Sequence, residues 1–153
     1  MNKLITLFGL LVIAVTVPAA AQNPDEEAIK KTINQLFDGM RKSDSTLIRA
    51  AFNKEAILQT IGKTKEGNTI VRNTDLNQFI AGISKPHPDV YDERIAFTKI
   101  LIDDNLASVW TDYKFYIEEK FSHCGVNSFQ LVKTEKDWKI LYLIDTRRKE
   151  NCN

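Results

Sequence analysis

Apolar positions along this chain repeat with two different periods, and the change between them divides it. From Asn23 to Lys42 they recur every third or fourth residue: Ile29, Ile33, Leu36, Phe37 and Met40 form one stripe, with Lys30, Lys31 and Asp38 off it. That spacing predicts an amphipathic helix over 23–42 with its stripe buried. Asn23 is placed to cap it, Pro24 suits the first helical position, and Glu26 stands where a capping box needs an acid. Ser43-Asp44-Ser45 reads as a second cap, for a short helix over 46–52 with Leu47, Ala50 and Ala51 turned inward. A strand is expected over 55–61, a charged turn over 63–68 and a short strand over 69–72. A third helix, capped by Asn73 or Thr74 and running to about Ile83, presents Leu76, Phe79, Ile80 and Ile83 on one face. Lys85-Pro86-His87-Pro88 stops it, because proline has no amide hydrogen to continue the helix.

Beyond Pro88 the period becomes two. Strands are expected over 93–102, 106–119, 127–134 and 138–147. On the second of these, Ala107, Val109, Thr111, Tyr113, Phe115 and Ile117 point one way, while Trp110, Asp112, Lys114 and Tyr116 point the other. Residues 121–126, including His123, Cys124 and Gly125, read as a connection. On the last strand Trp138, Ile140, Tyr142 and Ile144 share a face by alternation, which turns Asp145 away from it and toward Arg147. Helices early and hairpin strands late predict an α+β domain, with helices packed on one face of a curved antiparallel sheet.

Residues 1–21 follow neither period. A single Lys3, an apolar run from Leu4 to Val15, a helix-breaking Pro18 and Ala19-Ala20-Ala21 form the three parts of a secretory signal peptide. The expected product is a single domain over 22–153, periplasmic or secreted, with no stable membrane anchor after cleavage. A retained anchor fits less well, since a bilayer span needs roughly 20 apolar residues. Charge adds little: 21 Lys and Arg stand against 20 Asp and Glu. A chain this close to neutral has no general attraction for nucleic acid. Export changes the meaning of Cys124 and Cys152, because a pair can oxidise and persist outside the cytoplasm. Two free thiols are the other reading. With only His123 nearby they fall short of four ligands, so no metal and no cofactor is expected.

The stretch from Ser43 to Ala56 (SDSTLIRAAFNKEA) is similar to the second helix and first strand of nuclear-transport-factor-2-like domains. The final hairpin, Ser128-Phe129-Gln130-Leu131-Val132-Lys133 followed by Asp137-Trp138-Lys139-Ile140, also resembles theirs. With the order of elements, the resemblance spans the whole mature chain and is strongest to secreted bacterial members related to polyketide-cyclase-like and lumazine-binding domains. It implies a cone: a strongly bent antiparallel sheet wrapped around the long first helix, with a pocket open at one end. Parallel pairing in that sheet would tell against the hollow. The resemblance also implies dimers through the outer sheet face, where Trp110 and Tyr116 would serve as anchors or else pack under the chain termini. The superfamily includes steroid isomerases, dehydratases, cyclases and transport adaptors, so the fold does not set the function.

Two chemistries compete for such a pocket. Phe37, Tyr113, Phe115, Phe129 and Trp138, with Gln59 or Thr111 to orient a polar group, would hold a small apolar or aromatic ligand; the same side chains would equally serve as plain core. Catalysis needs a general base, and the candidates are His123 and Asp145. The first-strand position that carries an acid in the isomerases falls on Leu58 or Gln59, neither of which is a base. The expectation is therefore an exported small-molecule-binding domain with no committed catalysis. The alternatives are a lyase or isomerase working by acid–base chemistry, and a dimeric interaction module of the envelope.

Overall fold

The computed structural model describes residues 23–85 and 88–152; the leader read in residues 1–21 lies outside the described residues, as do Pro86 and His87. Three helices, α1 (Pro24–Arg41), α2 (Ser45–Ala51) and α3 (Leu76–Ser84), combine with six strands, β1 (Phe52–Lys63), β2 (Thr69–Thr74), β3 (Tyr91–Asp103), β4 (Leu106–Ile117), β5 (Lys120–Lys133) and β6 (Trp138–Thr146). The strands form one curved, unclosed sheet in the order β2-β1-β6-β5-β4-β3. No described helix is long and apolar enough to cross a membrane.

The helices start where their caps dictate. Asn23 Oδ1 accepts from the Asp25 amide at 3.0 Å, with Pro24 next in line. Glu26 turns to Lys30 at 2.6 Å, which leaves the cap to Asn23. Asp44 caps α2 through the amides of Thr46 and Leu47. Its buried residues are Ile48 and Ala51, whereas Ala50 is exposed, so the inner face is rotated from the expected one. Gly39 makes this packing possible: a Cβ there would lie 2.9 Å from the Ile48 amide nitrogen. Asp75 caps α3, because Asn73 and Thr74 are already committed to β2.

Four of the five strand pairings are antiparallel, as expected. The fifth, β1 with β6, is parallel. It joins strands from opposite ends of the chain, so no local hairpin signal announces it, and the hollow persists beneath it. Residues 121–126 are not a connection. The β4–β5 turn is Glu118-Glu119, and His123, Cys124 and Gly125 are ladder residues of β5 opposite Phe115, Lys114 and Tyr113.

Register slips by one residue at three places: Thr98 of β3, Ser122 of β5 and Leu141 of β6. Each extra residue bends its strand and exchanges the two faces beyond it. The last has the largest consequence. Trp138 and Ile140 are fully buried, Leu141 is exposed, and from there the inward residues are Leu143, Asp145 and Arg147. The expected common face of Trp138, Ile140, Tyr142 and Ile144 is therefore broken in the middle, and Asp145 is turned inward.

The core lies between α1 and the concave face of the sheet. Ile29, Ile33, Ile48, Phe129, Leu131, Trp138 and Ile140 are essentially inaccessible to solvent. Thr32 Oγ1 donates to the Trp138 carbonyl at 2.9 Å, and the Trp138 indole donates to Asp25 Oδ1 at 3.1 Å. These bonds fasten the start of α1 to the start of β6. Cys124 and Cys152 are bonded, closing a loop with a sequence separation of 28 and tying the C-terminal segment to β5. Beside them Cys124 and Arg148 exchange backbone hydrogen bonds of 2.9 and 2.8 Å.

Candidate functional site

The stripe of α1 does not meet the same surroundings along its length. Its first half is fastened to Trp138, while Leu36, Phe37 and Met40 of its second half face a cavity of about 420 Å³, with Phe37 edge-on to the buried Phe129 at 6.4 Å. Most of the wall is apolar: Leu58 from β1, Phe79 and Ile83 from α3, Tyr91 from β3, Phe115 and Ile117 from β4, and Leu143 from β6. Against it stand Glu93, Tyr113, His123, Asn127, Asp145, Arg147 and Thr60. A concave apolar chamber with a few convergent polar groups is the usual form of a small-molecule site.

Asp145 is the hub of the polar side. Its Oδ1 accepts from Thr60 at 2.5 Å, and its Oδ2 accepts from Arg147 Nε at 2.9 Å, with the Tyr113 hydroxyl 3.4 Å away. Tyr113 makes its shorter bond, 2.8 Å, to the Thr146 carbonyl. Gly125 lets the ring lie there: a Cβ at that position would sit 1.8 Å from the Thr146 oxygen and 2.7 Å from the Tyr113 ring. Burial, reinforced by the carboxylates of Asp145 and Glu93, pushes the Tyr113 phenol far up, so it is a fixed proton donor.

Glu93 has a different environment. One oxygen accepts from Asn127 Nδ2 at 2.7 Å, and no described group bonds the other. Burial raises its pKa to about 7; the Asn127 bond and Arg147 oppose the rise, and Asp145 adds to it. The carboxyl can therefore carry or release a proton near neutrality. His123 lies with its ring 4.9 Å from that of Phe115 and edge-on to Tyr113 at 5.7 Å, its Nδ1 3.0 Å from Ser122 Oγ. Burial, followed by the charge of Arg147, lowers its pKa, which favours a neutral imidazole. Among the described residues no group of three or more His, Cys, Asp or Glu side chains is arranged to hold a metal ion.

Of the residues singled out from the sequence, Phe37, Gln59, Tyr113, Phe115, His123 and Asp145 border the cavity. Gln59 brings little free polarity to it, since its amide donates to Asn73 at 2.7 Å and accepts from Tyr142 at 2.5 Å. Thr111, Phe129 and Trp138 do not line the cavity; they are packed in the core, and the Thr111 hydroxyl has no hydrogen-bond partner. Trp110 is 48% exposed, and Tyr116 lies under the Arg94 guanidinium at 4.2 Å. Glu93, Asn127 and Arg147 were missed as site residues. Glu93 had a readable signal, since it alternates with Ile95 and Phe97, and Asn127 alternates likewise with Phe129 and Leu131. Arg147 had none, because its orientation follows from the bulge at Leu141.

A protein-family model with the description "Putative lumazine-binding" matches residues 24–142, most of the chain. No curated protein matches in sequence. Among solved structures, an NTF2-like protein of unknown function from Shewanella baltica is 19% identical, with a TM-score of 0.62 and coverage of 82% of this chain and 94% of its own. An NTF2-like protein with a cystatin-like fold from Novosphingobium aromaticivorans is 9% identical, with a TM-score of 0.65 and coverage of 83% and 84%. One from Methylobacillus flagellatus, also of unknown function, is 16% identical, with a TM-score of 0.63 and coverage of 87% and 98%. At these identities the neighbours show the shared fold alone. It is the family model, extending from the first turn of α1 into β6, that makes the assignment: with the fold of these NTF2-like neighbours, the chain belongs to the "Putative lumazine-binding" family.

Proposed function

We propose that this protein binds a small, largely flat and apolar molecule in the cavity between α1 and the sheet, and that it does so outside the cytoplasm. The observation that carries the binding reading is the cavity itself, about 420 Å³ at the open end of an otherwise filled cone. That volume lies within the range of ligand sites and exceeds the voids left by ordinary packing. Phe and Tyr side chains on four elements offer flat walls, and the family description names a pteridine, which is a flat heterocycle. The extracytoplasmic reading is supported by the leader pattern and by the Cys124–Cys152 bond, a type of crosslink that persists in oxidising compartments.

A second reading, acid–base catalysis on such a molecule, is favoured by one observation. Glu93 is a carboxyl balanced near neutrality in an apolar chamber, where a general base or acid would be placed. His123 and Asp145, the candidates from sequence, fit that role less well. Asp145 is engaged by Thr60 and Arg147, and His123 has a depressed affinity for protons.

Native mass spectrometry of the protein purified from its own host tests the binding reading. A retained small molecule is expected, and it should be lost in Thr74→Trp, which fills the cavity from its border. Recovery of the wild type with no retained molecule, together with no saturable binding of lumazine by calorimetry, would refute it.

A further inference from the structure

We infer that the Glu93 carboxyl, pinned by Asn127, is the specificity-determining group of the cavity, and that it pairs with a lactam or cis-amide edge of an uncharged planar ligand. The inference rests on the binding reading above and names the ligand chemistry for that site.

It follows from which polar groups of the cavity are free. Asp145 is occupied by Thr60 and Arg147, and Tyr113 is spent on the Thr146 carbonyl. Arg147 is neutralised by its bond to Asp145, so among the described residues the chamber holds no free guanidinium or ammonium for an anion. Glu93 differs, with one oxygen fixed by Asn127 and the other open to the chamber. When protonated, a carboxyl presents an O–H donor beside a C=O acceptor. The complementary partner is an acceptor beside a donor, which is the edge of a lactam, an imide or a cis-amide. The tilted rings of Phe115 and His123, 4.9 Å apart, supply an aromatic surface for a flat ligand body. The charged and titratable groups around Glu93 are Asp145 of β6, Arg147 just past its end, Tyr113 of β4, His123 of β5 and Tyr91 of β3; Arg41 of α1 bonds the Glu93 carbonyl oxygen, at 3.4 Å, and not its carboxyl. Asp145 favours the protonated acid and Arg147 opposes it.

The test is isothermal calorimetry with two probes, lumazine and its dimethyl derivative methylated at both lactam nitrogens. Each is titrated into wild type, Glu93→Gln, Glu93→Ala and His123→Gln at about pH 6 and about pH 8 (the pH of half-protonation falling between them). Wild type should bind lumazine about tenfold more tightly at the lower pH, once the change seen in Glu93→Gln is subtracted to remove the ligand's own ionisation. Glu93→Gln, which keeps an adjacent donor and acceptor, should hold the low-pH affinity at both values apart from the change due to the ligand's own ionisation. Glu93→Ala should lose about tenfold or more, and His123→Gln should retain the pH dependence. The dimethyl derivative should bind wild type weakly and be indifferent to residue 93. The inference is overturned by equal binding of the two probes, by lumazine affinity insensitive to residue 93, by a pH dependence that disappears in His123→Gln, or by tighter binding at the higher pH. Should the dimethyl derivative bind strongly in wild type yet not in Thr74→Trp, the cavity reading stands while this inference falls. Absence of binding by either probe defeats this inference, and defeats the binding reading as well when the purified wild type also retains no molecule.

Discussion

The two halves of α1 sit in one continuous helix under one sheet, yet one half is sealed and the other is hollow. At the sealed end Ile29 and Ile33 belong to one buried cluster with Leu131, Trp138 and Ile140, all inaccessible to solvent, and the indole of Trp138 is tied to the first turn of the helix. At the hollow end Leu36, Phe37 and Met40 face Glu93, Asn127 and Asp145 across empty space. The helix contributes apolar residues to both, so the difference is made by the strands. Where the sheet offers large apolar side chains, burial drives it shut. Where it offers hydrogen-bonded carboxyls, closing would bury polar groups at a cost. The cavity is thus specified by the inner polar residues of β3, β5 and β6.

Trp138→Ala should produce the largest effect, about 3–5 kcal/mol of lost stability in urea unfolding, because it empties a fully buried site and leaves Asp25 with Lys133 in place of the indole bond. Phe115→Ala, at the hollow end, should cost less than half as much; equal losses would erase the distinction between the ends. Next comes the crosslink. Cys152→Ser, measured against wild type without reductant, should lower stability by about 3–4 kcal/mol if chain entropy sets its worth. No loss would mean that the tail is held by Cys124 and Arg148 alone. A pH-dependent effect sharpens the contrast at the hollow end. The Glu93 pKa is raised in the folded protein from 4.5 to about 7, so the folded state binds the proton more tightly than the unfolded state does. Its contribution is complete at acid pH and is lost as pH rises through neutrality. Glu93→Gln should therefore match wild type near the acid end and exceed it above neutrality by of order 2–3 kcal/mol. Parallel stability profiles for the two proteins would remove the raised acid.

Much of the sealed end was legible in the sequence, because its signals are local. The stripe of α1, the caps at Asn23 and Asp44 and the alternation of β4 each lie within a short window, and each is found where that window placed it. The hollow end depends on relations that no window contains. Pairing of β1 with β6 joins the beginning and end of the folded chain. The extra residue at Leu141 looks like any other apolar residue of a strand, yet it decides that Asp145 and Arg147 face inward. Glu93 differs, since its alternation with Ile95 and Phe97 is local but easily passed over. A charge at an inward position reads locally as a strand end, and only the empty space in front of it explains why it is tolerated.

The last strand of the chain is not at the margin of the sheet; it is seated between β1 and β5. A growing polypeptide can assemble the hairpins of β3, β4 and β5 before β6 exists, but β1 has nothing to join them through until β6 arrives. Asp145 and Arg147 come with that strand. A chain cut short anywhere before it would lack both the keystone of the sheet and the charged rim of the chamber.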